Sequence, residues 1–218
     1  MEGEDDGSDD PRAFCNTAVW KRMLVVVAGA CMNLLLGLGL IIGITAASDV
    51  ITSNTVASFS DGASSEATGL QAGDEILEIN GRSIWVENDI AYQLLMDTDG
   101  TVDMLVRRNG EKVALNGVTF DFREGEDGSH TLIVDFKVVG LPTTFGNVLS
   151  YSVRKSASVA RLVWISLVDL VTGNASLNDL AGPIGMAQVV GEAASVGMSS
   201  LLLLAAFITI NVGIFNLL

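Results

Sequence analysis

The sequence predicts a membrane protein in which two transmembrane helices flank a small α+β domain, with an interfacial amphipathic helix following the domain. Three observations carry this prediction. The 218 residues are 49% hydrophobic and only 17% charged, with a mean hydropathy of +0.46, which is too apolar for an ordinary soluble domain. Long uncharged runs lie on either side of the middle of the chain. The stretch between them turns acidic and breaks into short alternating segments punctuated by Gly and Asn.

Residues 1–22 read as an acidic cytoplasmic loop. Six of the first ten are Asp or Glu, and no apolar core of a signal peptide is present there. From Met23 to Ala47 no charge occurs for 25 residues, more than the roughly 20 needed to cross the hydrocarbon as a helix. Residues 23–47 are therefore the first span. Lys21 and Arg22 precede it, and basic residues flank spans on the cytoplasmic side. That places the segment after the span outside the cytoplasm.

Residues 48–140 carry 17 acids and 6 bases. "NTVASF", "DEILEING", "TVDMLVRRNGEKVAL" and "TLIVDFKV" read as strands, with a hairpin turned at Asn109-Gly110. "VENDIAYQLLMD" places Ile90, Leu94 and Leu95 on one face of a helix. Some ninety residues suffice for a small α+β domain.

In residues 145–172, Arg154, Ser158, Arg161, Ser166 and Asp169 recur at near-helical spacing beside a broad face of Val, Leu, Ile and Trp164. Such a helix lies along the membrane surface, polar stripe to water. Residues 173–197 read as a loop broken at Gly182-Pro183. Residues 198–218 form the second span, incomplete at the end of the sequence. That run carries two carboxamides, Asn211 and Asn216, and an unpaired amide in hydrocarbon costs a few kcal/mol.

Charge and composition narrow the function. A net charge of −14, with no basic stripe, argues against nucleic acid. The two cysteines, Cys15 and Cys31, beside and within the first apolar run, look like packing residues rather than a disulfide framework. The single histidine, His130, sits in an acid- and Gly-rich loop and reads as solvated. No metal site is built from the residues of this chain.

"GASSEATGLQAGDEILEINGRSI", Gly62 to Ile84, resembles the core of a PDZ domain of the bacterial, circularly permuted kind, departing at Thr68, where Ala is usual. The resemblance implies a groove for an extended peptide between the strand Leu132 to Phe136 and the helix near Ile90 to Leu95, lined by Leu132, Ile133, Val134, Ile90 and Leu94. "LIVDF" lacks the Gly often found at the carboxylate-binding turn.

With the flanks "WKRMLVVVAGACMNLLLG", "LAGPIGMAQ" and "ITINVGIFNLL" added in order, nearly the whole chain resembles the site-2 protease family, intramembrane zinc metalloproteases of the bacterial RseP type. Ala30 stands where that family often has Pro, which implies a straighter helix. The family binds zinc through His-Glu-x-x-His, whose Glu is the general base, and through the Asp of Leu-Asp-Gly. Neither motif is in this sequence. The resemblance therefore implies a fragment cut at both ends, inactive alone, whose zinc in the full-length protein is held by ligands absent here.

The same resemblance implies the gating and clamping portion of a zinc endopeptidase that performs regulated intramembrane proteolysis. Its partners would be the lipid bilayer and a single-span membrane protein, such as an anti-sigma factor or a remnant signal peptide. It would lie in the inner or plasma membrane as a multi-pass protein, PDZ domain extracytoplasmic. Asn211 and Asn216, with Asn33 of the first span, would contact the unwound substrate strand. Because Asn211 and Asn216 differ by about 140° around a helix, sharing one seam requires unwinding, which Gly213 would permit. The alternative function is a membrane-anchored, non-catalytic PDZ adaptor.

Overall fold

The computed structural model describes residues 18–97, 99–124, 130–172 and 183–217. They form two compact units: one spans Thr45 to Ser158, and the other combines the segments up to Ile44 and from Val159 onward. The elements of the first unit are β1 (Val50–Phe59), α2 (Ser64–Ala67), β2 (Glu75–Ile79), β3 (Arg82–Ser83), α3 (Glu87–Leu95), β4 (Thr101–Arg108), β5 (Glu111–Thr119), β6 (Phe122–Glu124), β7 (His130–Leu132) and β8 (Phe136–Pro142). It also takes the first half of α4 (Phe145–Thr172), while the helix numbering begins with α1 (Val19–Ala46). The second unit holds α1, the rest of α4, α5 (Pro183–Val196) and α6 (Met198–Phe215).

The main sheet runs β5-β4-β2-β1-β8 with β3 paired to β2, and each of these pairings is antiparallel. Its turns follow from residues that tolerate a left-handed backbone. Asn109 (φ 52°) and Gly110 (φ 89°) close the β4–β5 hairpin, so Arg108 faces Glu111. Asn80 (φ 49°) and Gly81 (φ 72°) turn β2 into β3. Alternation along β4 buries Val102, Met104 and Val106, which pack with Val56, Leu70, Ile76, Ile79, Ile90 and Leu94 into one core.

The segment read as one strand from Thr131 to Val138 is two. β7 pairs with β6 in a separate hairpin, and β8 joins β1 at the sheet's edge. Asp135 causes the break: its buried carboxylate accepts the Ser65 backbone N–H (2.9 Å) and hydroxyl (2.6 Å), fixing the start of α2 instead of continuing a ladder.

A side chain at Gly100 would meet the Phe122 ring, its Cβ lying 2.7 Å from Cζ, and φ is +77°. Gly100→Ala is expected to cost about 2 kcal/mol, against about 1 for Gly62→Ala, where φ is also positive but the space is open. Urea unfolding measures both; equal losses would show that the ring yields freely.

The first apolar helix begins at Val19, ahead of the expected Met23, and runs 28 residues to Ala46. Both α1 and α6 are long and apolar enough to cross a membrane. The loop expected over 173–197 is corrected in its second half. Pro183 opens α5 rather than breaking a helix, because the first helical position has no hydrogen bond for its missing N–H to lose. Residues 173–182, including Gly182, lie outside the described residues, as does most of the acidic start.

Candidate functional site

Two places gather the residues that the sequence singled out. The first is the α1–α6 contact. Ile41, Ala206 and Ile210 are buried together, with Leu34, Leu40, Val159, Ala160 and Ile214 packed around them. Glycine sets how close the helices come. A Cβ on Gly213 would stand 3.2 Å from the Ala30 carbonyl oxygen, the Asn33 Cβ and the Leu34 Cδ2, and one on Gly37 would press into Ile210 and Thr209.

Ala30 is fully buried there, and a proline ring would have to share that space. Asn33 is half-buried beside Gly213. Asn211 is half-buried, and its Oδ1 is shielded from solvent with no hydrogen-bond partner among the described residues. Asn216 is exposed and caps the C-terminus of α6.

The unwinding expected at Gly213 does not occur, since α6 stays helical from Met198 to Phe215. Packing explains why: Gly213 is used for close approach, and a regular helix there keeps backbone groups paired in an apolar setting.

The second place is the groove between α3 and the free edge of β8. A cavity of about 300 Å³ is lined by Glu87, Ile90, Ala91, Val134, Phe136, Lys137 and Val138. Of the expected groove residues, Ile90 and Val134 line it. Leu132 and Leu94 do not: they are 5% and 1% exposed and belong to the core, because each lies on the inward face of its element. Ile133 is exposed, and its N–H goes to the Asp121 carbonyl in the small hairpin rather than to a groove. Phe136 was the last residue of the strand expected to line the groove, and Lys137 and Val138 were missed because the edge strand begins only there.

The N-terminal turn of α3 is held by α4. Tyr151 donates to Glu87 Oε1 at 2.6 Å, and Lys155 Nζ donates to the same oxygen at 3.0 Å and to Asn88 Oδ1. The Ser158 hydroxyl donates to Asp89 Oδ1, while Asp89 Oδ2 accepts the N–H groups of Trp85 (2.8 Å) and Val86 (3.2 Å), capping α3. Burial and then the Glu87 carboxylate push the Tyr151 phenol up from its ordinary pKa, so it stays a donor.

Tyr151, Lys155 and Ser158 stand at i, i+4 and i+7, one face of a helix. Their spacing was the available signal, but Ser158 was assigned to a water-facing stripe. It is instead 2% exposed against α3. Trp164, Val168 and Val171 are exposed on α4.

The sequence matches Peptidase family M50 over residues 1–218. The chain belongs to that family, the site-2 proteases. A Clostridium acetobutylicum protein named as a zinc metalloprotease is 31% identical over the whole of this chain and 63% of its own length. Zinc metalloprotease RasP of Bacillus licheniformis is 30% identical over 95% of this chain and 49% of its own. The same figures hold for the regulator of sigma-W protease RasP of Bacillus subtilis. The chain thus spans about half to two thirds of the length of these relatives.

Site-2 proteases are membrane-embedded zinc metalloproteases, and the two apolar helices agree with such a setting. Among the described residues no three His, Cys, Asp or Glu side chains gather as a metal site. The described residues therefore do not fit zinc, and no chemical step is assigned to them.

Proposed function

We propose that this chain positions substrate in an intramembrane zinc endopeptidase that performs regulated intramembrane proteolysis of single-span membrane proteins. The observation that carries the reading is Asn211: a carboxamide oxygen, shielded from solvent beside the α1–α6 contact and without a donor among the described residues. An unwound substrate strand brings backbone N–H groups, and in an apolar site a carboxamide oxygen is the acceptor they need. Asn33 lies on the facing helix. Asn216, at the exposed end of α6, receives the strand where it leaves the helix pair.

The unit from Thr45 to Ser158 is read as an extracytoplasmic PDZ domain. An antiparallel sheet with a free edge at β8 and a helix beside it suits addition of an extended peptide as one more strand. The apolar face of α4 is read as lying in the headgroup region, Trp164 inward. Peptide-bond cleavage itself is assigned to zinc held by residues other than those described.

The test is Asn211→Leu in the full-length protein. Cleavage of a single-span substrate is expected to fall about ten- to a hundredfold at unchanged protein abundance, since a lost partner for a buried backbone group costs about 1 to 3 kcal/mol. Leu suits an apolar helix better than Asn does. Parallel loss of abundance and cleavage would make Asn211 a contact between helices and overturn the reading.

A further inference from the structure

Glu87 serves two structures at once. The residue lines the groove beside β8, and its Oε1 is the oxygen that both Tyr151 and Lys155 hold. The clasp that α4 places on Glu87, Asn88 and Asp89 is thus fastened to the wall of the groove. It is also incompletely satisfied. Glu87 Oε2 and the Ser152 Oγ are shielded from solvent, yet neither has a hydrogen-bond partner among the described residues. Ser152 is 0% exposed and Lys155 only 8%, so a buried polar contact carries two unpaired acceptors or donors that water would otherwise satisfy. Opening the contact lets water reach both groups, which offsets part of the cost of breaking its hydrogen bonds.

We propose that the α3–α4 clasp couples groove occupancy to α4: an occupant of the groove opens the clasp, and an opened clasp releases the first half of α4. The proposal rests on reading the cavity as a peptide groove. A strand added to β8 lies about 4.8 Å out from it, in the space that Glu87, Ile90 and Ala91 flank. α3 is only nine residues long and is tied to the core through Ile90 and Leu94 on one face. Its N-terminal turn is tied to α4 instead, so an outward shift of the wall draws Glu87 from Lys155 and Tyr151. The coupling is reciprocal: whatever favours the open clasp favours the occupied groove by the same factor.

A covalent probe replaces the unidentified peptide. In the full chain, held in lipid nanodiscs with Cys15 and Cys31 replaced by Ala, the exposed Ala91→Cys variant is alkylated with a bulky aromatic maleimide that fills the groove. Amide hydrogen exchange of residues 150–158 is expected to speed up about tenfold on labelling. Labelling an Asn109→Cys variant, at the far hairpin turn, is expected to change nothing in that segment. In a Lys155→Met background exchange should already be fast, and the label should add less than about twofold. Ser158→Ala serves as a second clasp variant if Lys155→Met folds poorly.

Unchanged exchange in labelled Ala91→Cys overturns the coupling and leaves the groove reading intact. An undiminished label effect in both clasp variants also overturns it, since the signal would then bypass the clasp. Failure of the folded Ala91→Cys variant to react at all overturns the groove reading itself.

Discussion

Asp74→Ala is expected to destabilise the sheet-bearing unit by about 3 kcal/mol and to lower its melting temperature by roughly 12 °C. Asp74 is fully buried and receives Arg108 as a fork, with Nε at 2.8 Å and an Nη at 2.7 Å. Its second oxygen also accepts the Gln71 N–H at 2.9 Å. Arg108 in turn donates to the Gly69 carbonyl at 2.9 Å, and its hydrogen bond to Asp74 holds the guanidinium pKa above its ordinary value. One carboxylate therefore pins the turn after α2, the start of β2 and the end of β4.

Removing it leaves a Gln71 N–H unpaired and a guanidinium with one backbone partner. Because the Arg108 side chain remains 23% exposed, water recovers part of its loss, which keeps the cost below the upper end for a broken buried pair. In an Asp74→Ala, Arg108→Met double variant about 1 kcal/mol is expected to return, since the unpaired charge is gone. Arg107 and Glu75, 2.5 Å apart with an exposed Arg107 and a half-exposed Glu75, supply the contrast: Glu75→Ala should cost under about 1 kcal/mol. Circular dichroism melts of the three variants decide it. An Asp74→Ala loss no larger than that of Glu75→Ala would show that the buried fork contributes nothing special.

What the sequence revealed and what it hid separate along physical lines. The β4–β5 hairpin was legible because Asn109-Gly110 is a local instruction: two residues that accept positive φ between two alternating runs. The two long apolar helices were legible because length and the absence of charge are counted, not inferred. Asp135 shows where reading stopped. Apart from Asp135 and Lys137, "LIVDFKV" carries strand propensity, and a single Asp does not announce a break; the distant Ser65, seventy positions earlier, makes Asp135 end one strand and begin another.

Leu132 and Leu94 were misassigned to the groove for a related reason. Periodicity gives a face but not which of two neighbouring layers the face meets, and both were drawn into the core. The clasp was hidden more deeply. Ser158 lies on a polar stripe in either reading, and whether that stripe meets water or the first turn of α3 depends on where α4 is docked. Pro183 carried the opposite meaning from the one first given it, because proline both ends helices and begins them.

Gly37→Leu is expected to weaken the α1–α6 pairing by about 2 to 3 kcal/mol, whereas Gly39→Leu and Gly43→Leu leave it within about 0.5 kcal/mol of the parent. All three glycines lie in the same helix, so each substitution brings the same gain in helix propensity and the same added apolar surface. They differ in what stands opposite. A Cβ at Gly39 or Gly43 meets nothing within 4 Å, but one at Gly37 comes within 3.0 Å of the Ile210 Cδ1 and 3.1 Å of the Thr209 Cγ2, and nearer still to the Ile210 Cγ1.

Ile210 cannot turn aside easily. It is 1% exposed, β-branched and packed with Ile41 and Ala206, so the helices must separate. Between apolar helices in lipid, close van der Waals contact supplies most of the attraction, and separation forfeits it. Ile210→Ala opens space and is expected to return at least half of the loss when combined with Gly37→Leu. Denaturant titration in mixed micelles, followed by energy transfer between labels on α1 and α6, reads the pairing directly. Equal effects of Gly37→Leu and Gly39→Leu would mean that the two helices do not meet at Gly37, and the acceptor at Asn211 would lose the close helix pair that shields it from solvent.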